Sequence, residues 1–273
     1  MEGSGVLTYR QSKPGQLKCA LDLSMLYPSK DDRARFRLRY KKFIKSDPNN
    51  KKVYTLKGDQ LSFLSEQLIP KKTDDRIPLL MVFGNPAPQS ALKAMFFAFE
   101  GKGKEHRFWK HILEASEVIN FGLDDSLSVK ERGTQRKRQL LALKYTSNFR
   151  VGLCVLVSLP SGASGPWSGV AGIRRLLGAG AMRRVLGEER TRVVKSAREF
   201  LRHGGAVVAF QKEAWEGLRS EGDPAYNVGL AKQGKLKGSV SGVRGVPLYG
   251  LPPTRLAGPC RRVLSQSLVQ GLG

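Results

Sequence analysis

The 273 residues suffice for one large domain or for a domain with an appendage. The hydrophobic share of 40% and the charged share of 26% are ordinary for a globular protein, which excludes collagen, coiled coils and wholesale disorder. The charge is unusual, since 47 Lys and Arg against 23 Asp and Glu give a formal net charge of +24. Because a polyanion relieves the self-repulsion of so cationic a chain, nucleic acid is the first partner to consider.

The three cysteines, Cys19, Cys154 and Cys260, lie far apart and form no C-x-x-C pair. This spacing fits neither a disulfide framework nor a zinc site, and we expect no metal and no cofactor. The first residues contain no apolar core of a signal peptide, and the longest apolar run is about half a membrane span. We therefore expect a protein of the cytoplasm or nucleoid, or of a eukaryotic nucleus, that is neither secreted nor membrane-embedded.

Residues 1–57 are basic, end in a turn-rich segment, and are interpreted as an N-terminal appendage to a domain of residues 58–273. Leucines at helical spacing predict a helix from Asp59 to Leu68, before Pro70. Short apolar runs typical of buried strands then follow. They are Ile77–Phe83, Val151–Leu159, Gly205–Phe210 and Gly245–Tyr249.

Amphipathic stretches separate these runs and follow the last one, at residues 107–119, 169–186, 188–203 and 256–269. Strands that alternate with helices predict a three-layer α/β/α sandwich on a short, mostly parallel, four-stranded central sheet. The strand C-termini of such a sheet line one crevice. The loops after Phe83, Leu159, Phe210 and Tyr249 are therefore expected to meet there and to form any active site.

Cationic residues are concentrated in residues 130–144 and 169–202, and no acidic residue follows Asp223. One such run by itself is most often a solvated helix face. Together with the excess over the whole chain, the runs favour a surface that binds nucleic acid.

The segment Met81–Val118 contains Asn85-Pro86, Ser90-Ala91, Phe96-Phe97 and Arg107-Phe108-Trp109-Lys110. In order and approximate spacing it resembles the first motif region of the uracil-DNA glycosylase superfamily. Residues 152–161 and 207–218 resemble its second core strand and a later strand and helix, and residues 248–264 resemble its closing motif. The resemblance covers residues 58–268 and is closest to the mismatch-specific, thymine-DNA glycosylase-like and single-strand-selective branches.

The resemblance implies a monofunctional DNA glycosylase of base excision repair. Such an enzyme flips a deaminated or mispaired base, uracil or similar, out of duplex or single-stranded DNA and hydrolyses its N-glycosidic bond. Asn85 would position the water, although an amide cannot act as an ionised base, so turnover would be slow. The enzyme would act as a monomer.

The resemblance also implies which residues hold the DNA. The base pocket would comprise Gly84, Pro86, Phe97 and Cys154, with Phe97 stacking on the base. Ser90 and the closing loop would contact or intercalate the DNA, with Leu251 as a wedge and Arg255 on a phosphate. The closing loop comprises residues 250–255, and the residues expected to contact DNA are Leu251, Pro252, Pro253, Thr254 and Arg255.

Other interpretations stay open. Asn85 could cap the next helix or form an Asx turn, and Phe97 and Cys154 could be core residues. The family's His or Asn at the start of the closing motif is replaced by Leu251, or by Tyr249 in a shifted register. A catalytically altered or inactive DNA-binding or lesion-sensing protein is therefore the first alternative. An unrelated basic α/β protein that binds RNA or the ribosome is the second.

Overall fold

The computed structural model describes residues 5–99 and 103–269. The segment Met81–Val118 thus includes three residues, 100–102, that lie outside the described part. The chain forms two compact units. Unit 1 comprises Met1–Gln67, Asn85–Phe96 and Val155–Arg192, and unit 2 comprises Leu68–Gly84, Phe97–Cys154 and Val193–Gly273.

Unit 1 contains an antiparallel sheet in the order β1-β2-β4-β3. Its strands are β1 (Leu7–Lys13), β2 (Gln16–Asp22), β3 (Tyr54–Lys57) and β4 (Gln60–Glu66). The helix predicted over Asp59–Leu68 is wrong, because this segment forms β4. Leu61, Phe63 and Ser65 alternate as buried residues with the period of two that a strand requires.

The boundary expected after residue 57 lies in the turn between the paired strands β3 and β4. The division into an appendage and a domain stays a prediction.

The helices are named here in chain order. They are α1 (Leu23–Leu26), α2 (Lys30–Ser46), α3 (Asn50–Val53), α4 (Pro88–Lys93), α5 (Val129–Ala142), α6 (Gly169–Leu177), α7 (Ala179–Phe200), α8 (Gln211–Leu218), α9 (Val228–Lys232) and α10 (Ala257–Leu264). Phe108–Leu113 and Ser265–Val269 form π-helical turns, and Glu114–Ser116 form a 3₁₀ turn. Each predicted amphipathic stretch thus contains helical structure, although α7 runs without a break across the predicted boundary near residue 187.

Unit 2 is built on a mixed sheet in the order β6-β5-β7-β9-β8. Its strands are β5 (Ile77–Phe83), β6 (Phe149–Val155), β7 (Ala206–Phe210), β8 (Lys237–Ser239) and β9 (Pro247–Leu251). β5, β7 and β9 are parallel, while β8 pairs antiparallel with β9. The mixed α/β class is confirmed and the sheet is mostly parallel, but the predicted count of four strands is wrong. The fifth strand, Lys-Gly-Ser, has no apolar side chain that could have revealed it.

The last residue of the edge strand β8, Ser239, bonds polar groups of its own unit. Asp223 Oδ2 accepts hydrogen bonds from Ser239 N at 2.8 Å and from Ser220 N at 3.0 Å. Ser220 N also donates to Ser239 O at 3.1 Å. Both backbone groups of Ser239 are therefore occupied.

The start of β7 requires a glycine. Gly205 has a φ of +102°, and a Cβ atom there would lie 2.0 Å from Pro78 O. Without a side chain the backbones of β5 and β7 can approach closely at this point. In the described part of the chain, no helix combines the length and the apolar character needed to cross a membrane.

Candidate active site

The amide of Asn85 is held by its nitrogen. Nδ2 donates to Ser161 Oγ at 2.8 Å, to Leu159 O at 3.2 Å and to Pro86 O at 3.4 Å. Because the two carbonyl oxygens cannot donate, the amide must direct its nitrogen toward them. Asn85 is half-buried, and its Oδ1 accepts no hydrogen bond from a described residue. This oxygen can therefore accept a hydrogen bond from a water molecule.

Ser161 supports this arrangement and was missed in the sequence. Its hydroxyl accepts from Asn85 and donates to Gly169 O at 3.1 Å, while its backbone N donates to Pro86 O at 3.0 Å. The side chain is buried. The signal that could have found it is its position in the loop after the predicted strand Val151–Leu159, where polar side chains at strand ends often assemble a site.

Asn85 does not cap the helix that follows it. The N-cap of α4 is Ala87, whose side chain makes no capping bond, and Pro88 occupies the first turn. The capping interpretation of Asn85 is therefore wrong, and the absence of a bond to its Oδ1 from the described residues also speaks against an Asx turn. Ser90 lies in α4 with 6% of its surface exposed.

In unit 2, Phe97 belongs to an aromatic cluster at the end of β5. Its ring centroid lies 4.3 Å from that of Phe108, 4.5 Å from that of His106 and 5.0 Å from that of Phe83. Phe97 is half-buried. In unit 1, by contrast, Phe96 is buried.

The backbone of Phe97 is strained. Its φ of +51° lies in the left-handed region, which a bulky residue rarely adopts. Trp109 Nε1 donates to Phe97 O at 3.2 Å and helps to hold this conformation. Such strain is often found where a side chain must be presented in one direction.

A buried cation supports the turn that contains Trp109. Arg136 of α5 is 2% exposed, forms a hydrogen-bonded ion pair with Glu105, and lies 5.5 Å from the Trp109 ring centroid. It also lies 3.5 Å from Glu114, whose pKa is raised by burial, although Arg136 opposes the shift. The basic run at residues 130–144 thus includes an internal structural residue in addition to exposed charges.

The closing loop begins inside the unit. Leu251 ends β9 and is fully buried, as is most of Pro252, whereas Pro253 and Thr254 are half-buried and Arg255 is exposed. Leu251 is therefore not presented as a wedge in this structure. The guanidinium of Arg255 has no hydrogen bond or ion pair with a described residue and stands before the first turn of α10.

Three side chains that the sequence did not single out for this role hold the closing loop. Tyr226 Oη donates to Leu251 O at 3.2 Å, and Cys260 Sγ lies 3.4 Å from Pro252 O, which accepts from it. Burial raises the pKa of the Cys260 thiol to about 12, so it stays protonated and can donate. Arg107, in the Arg-Phe-Trp-Lys motif, donates to Arg255 O at 3.4 Å.

The predicted residues thus form two sets. In unit 1, Asn85, Pro86 and Ser90 lie on one loop and the helix after it. In unit 2, the closing loop contacts Arg107, and Phe97 packs on Phe108. Gly84 is buried and directly follows β5.

Cys154 is fully buried in β6 and forms no disulfide. Within residues 5–99 and 103–269, no three His, Cys, Asp or Glu side chains lie close enough together to hold a metal ion. The role of Cys154 as a base-pocket residue stays a prediction.

No protein-family model matches this chain, and a search of curated proteins finds no match. The likeness to the uracil-DNA glycosylase superfamily therefore depends on the motif residues alone.

Proposed function

We propose that this protein is a monofunctional DNA glycosylase, a divergent member of the uracil-DNA glycosylase superfamily with its three-layer α/β/α arrangement. The observation that best supports the proposal is the Asn85 amide. Its nitrogen is held by Ser161, Leu159 and Pro86, and its oxygen is left to accept from a water molecule. A residue that only terminated a strand would not need this arrangement.

The proposed reaction is hydrolysis of the N-glycosidic bond of a flipped nucleotide. The bond between the sugar C1′ and the base nitrogen breaks, its electrons leave with the base, and the water oxygen bonds to C1′ while its proton passes to solvent. Asn85 Oδ1 accepts one water hydrogen and aligns the oxygen, so its contribution is positioning. Because an amide cannot take the proton, turnover is expected to be slow.

The base would stack on Phe97, since an aromatic face supplies contact area for a deaminated or mispaired base. Because Leu251 is buried, we assign the contact with the DNA groove and backbone to Pro253, Thr254 and Arg255. The guanidinium of Arg255, which has no ion pair with a described residue, lies before α10 and suits a phosphate. The protein would work as a monomer, without a metal or cofactor, in a compartment that contains DNA.

The test uses end-labelled oligonucleotides with uracil, hypoxanthine, xanthine or a G·T mismatch, in single-stranded and duplex form. After incubation, alkali cleaves the strand at abasic sites. Asn85→Ala is compared with wild type and with Asn148→Ala, since Asn148 is exposed and its side chain has no hydrogen bond with the described residues. We expect strand breaks with wild type and Asn148→Ala but not with Asn85→Ala.

Two results would contradict the proposal. Equal cleavage by Asn85→Ala and wild type would remove Asn85 from the mechanism. The absence of cleavage on every substrate, with tight duplex binding retained, would favour a non-catalytic DNA-binding protein.

A further inference from the structure

Five exposed lysines lie at the end of α2 and in α3 of unit 1. We call this set the lysine patch, and its members are Lys41, Lys42, Lys45, Lys51 and Lys52. None of them has an ion pair or hydrogen bond with a described residue. From Arg33 to Gly58 the chain has ten Lys and Arg but a single acidic residue, Asp47. The patch is therefore positively charged without internal compensation.

The arginines of α2 have a different role from these lysines. Arg39 Nε donates to Leu176 O at 2.8 Å and holds α2 against α6. Arg37 Nη2 donates to Gly58 O and to Asp59, each at 2.7 Å. Arginine thus supplies the internal contacts of this helix, while the lysine ammonium groups point to solvent.

The patch is held in a fixed arrangement. The buried Asn50 donates from Nδ2 to Phe43 O at 2.9 Å, which connects the start of α3 to the last turns of α2. On α2, Lys41 and Lys45 are four residues apart and share the helix face opposite the buried Phe43, and Lys42 lies on the adjoining face. Lysines on a rigid frame can present their charges together at lower entropic cost than lysines on a flexible tail.

The same corner of unit 1 adjoins the Asn85 loop, residues 85–87. Tyr54, directly after α3, donates from Oη to Pro160 O at 2.5 Å, next to Ser161, which accepts from Asn85. A Cβ on Gly162 would lie 3.4 Å from Asp47 Oδ2, and α3 packs against α4, the helix after the Asn85 loop. The helix α3, which carries two of the patch lysines, thus packs beside the segments that hold Asn85.

We propose that the lysine patch binds the phosphodiester backbone of the DNA on which the Asn85 loop acts. This inference rests on the proposed function and extends it to residues 1–57, which the resemblance does not cover. Phosphate contacts fix the register of a protein on DNA, and lysine supplies them as compact point charges. A backbone contact beside Asn85 would place the flipped nucleotide at the loop while reading no sequence.

The test measures binding of an undamaged DNA duplex by fluorescence anisotropy between 0.05 and about 1 M salt. Over this range the release of counterions makes log K fall linearly with log salt. The patch variant replaces all five lysines with Gln, which keeps the helix propensity close to that of Lys. A control variant removes the same charge from exposed cations elsewhere in unit 1. These are Arg10, Lys13, Lys18, Lys30 and Lys57, again replaced with Gln.

If the patch neutralises about three phosphates, the slope of log K against log salt is about 2.7 less steep in the patch variant than in wild type. The affinity that the variant loses relative to wild type is then about 500-fold greater at 0.1 M salt than at 1 M salt. The control is expected to change the slope by less than about 1, since its cations make no phosphate contact. A slope change in the patch variant no larger than in the control would overturn the inference. So would an unchanged DNA slope combined with lost affinity for poly-glutamate, which would point to an acidic protein instead.

This experiment can fail separately from the proposed function. Binding of undamaged duplex does not require excision, so the patch can be confirmed even if no substrate is cleaved. Conversely, cleavage could depend on Asn85 while the salt slope of duplex binding is the same in the patch variant and in wild type. This result would leave the glycosylase proposal intact and refute the proposed role of the lysine patch.

Discussion

Replacing Ser161 with Ala tests the positioning of Asn85 directly. The substitution removes two partly buried hydrogen bonds, the one at 2.8 Å from Asn85 Nδ2 and the one at 3.1 Å to Gly169 O. At about 1 kcal/mol each, we expect the free energy of unfolding to fall by about 2 kcal/mol. Asn85 keeps its bonds to Leu159 O and Pro86 O, so the amide is loosened rather than released.

The loosened amide should lower the rate of excision by about tenfold, which corresponds to an activation free energy higher by about 1.4 kcal/mol. Asn85→Ala, which removes the water contact altogether, should lower it by about 100-fold or more. Single-turnover excision and urea denaturation would be measured on the same preparations. Ser161→Ala should therefore lie between wild type and Asn85→Ala in activity.

Ser128→Ala is the matched control, because Ser128 caps α5 in a capping box with Glu131. Loss of this cap should cost about 1 kcal/mol of stability and leave excision unchanged. If Ser161→Ala is destabilised while its excision rate equals that of wild type, the hydrogen bond from Asn85 to Ser161 has no part in positioning, and the mechanism argued from it is wrong.

Burial raises the pKa of Glu66 well above its ordinary value, so the folded state favours the protonated acid. The stabilising contribution of Glu66 is present at low pH and is lost as pH rises through the folded-state pKa. Glu66→Gln should therefore gain stability relative to wild type as the pH rises. A difference in urea unfolding between the two proteins that does not change with pH would refute this. Gly205→Ala should lower the free energy of unfolding by more than about 3 kcal/mol, because the added Cβ would collide with Pro78 O. Gly204 has a similar φ of +100° but open space around it, so Gly204→Ala should cost only the backbone strain of about 1–2 kcal/mol. Equal thermal unfolding of the two variants would contradict the steric argument. Phe97→Ala should lower the preference for a uracil-containing over an undamaged duplex by about tenfold in competition binding, and an unchanged preference would exclude base stacking on this ring.

The sequence predicted β5, β6, β7 and β9 of unit 2 because they are short, largely apolar and mostly buried, and it missed the polar strand β8. Ile77–Phe83 agrees with β5 at both ends, since its hydrophobic run stops at Gly84. β4 was mistaken for a helix because leucines three residues apart fit a helical period over so short a segment, and the pairing with β2 and β3 that selects the strand is not local.

The candidate site was predictable only where it follows a strand end. Asn85 was chosen as a candidate because it follows β5, whereas Ser161 was not considered because its bond to Asn85 joins residues 76 positions apart. Buried charges were equally hidden, since nothing in the composition of residues 130–144 separates the internal Arg136 from its exposed neighbours. These distinctions depend on tertiary contacts between segments that are distant in sequence.

The covering of β8 has a consequence for solubility at high concentration. A bare strand at the edge of a sheet can add a strand from another molecule and start an aggregate. Here the edge is only three residues long, and Asp223 and Ser220 already bond the outward N–H and C=O of Ser239. A second chain would have to displace a carboxylate to pair there. Intermolecular strand addition at Ser239 is therefore opposed, even at high protein concentration.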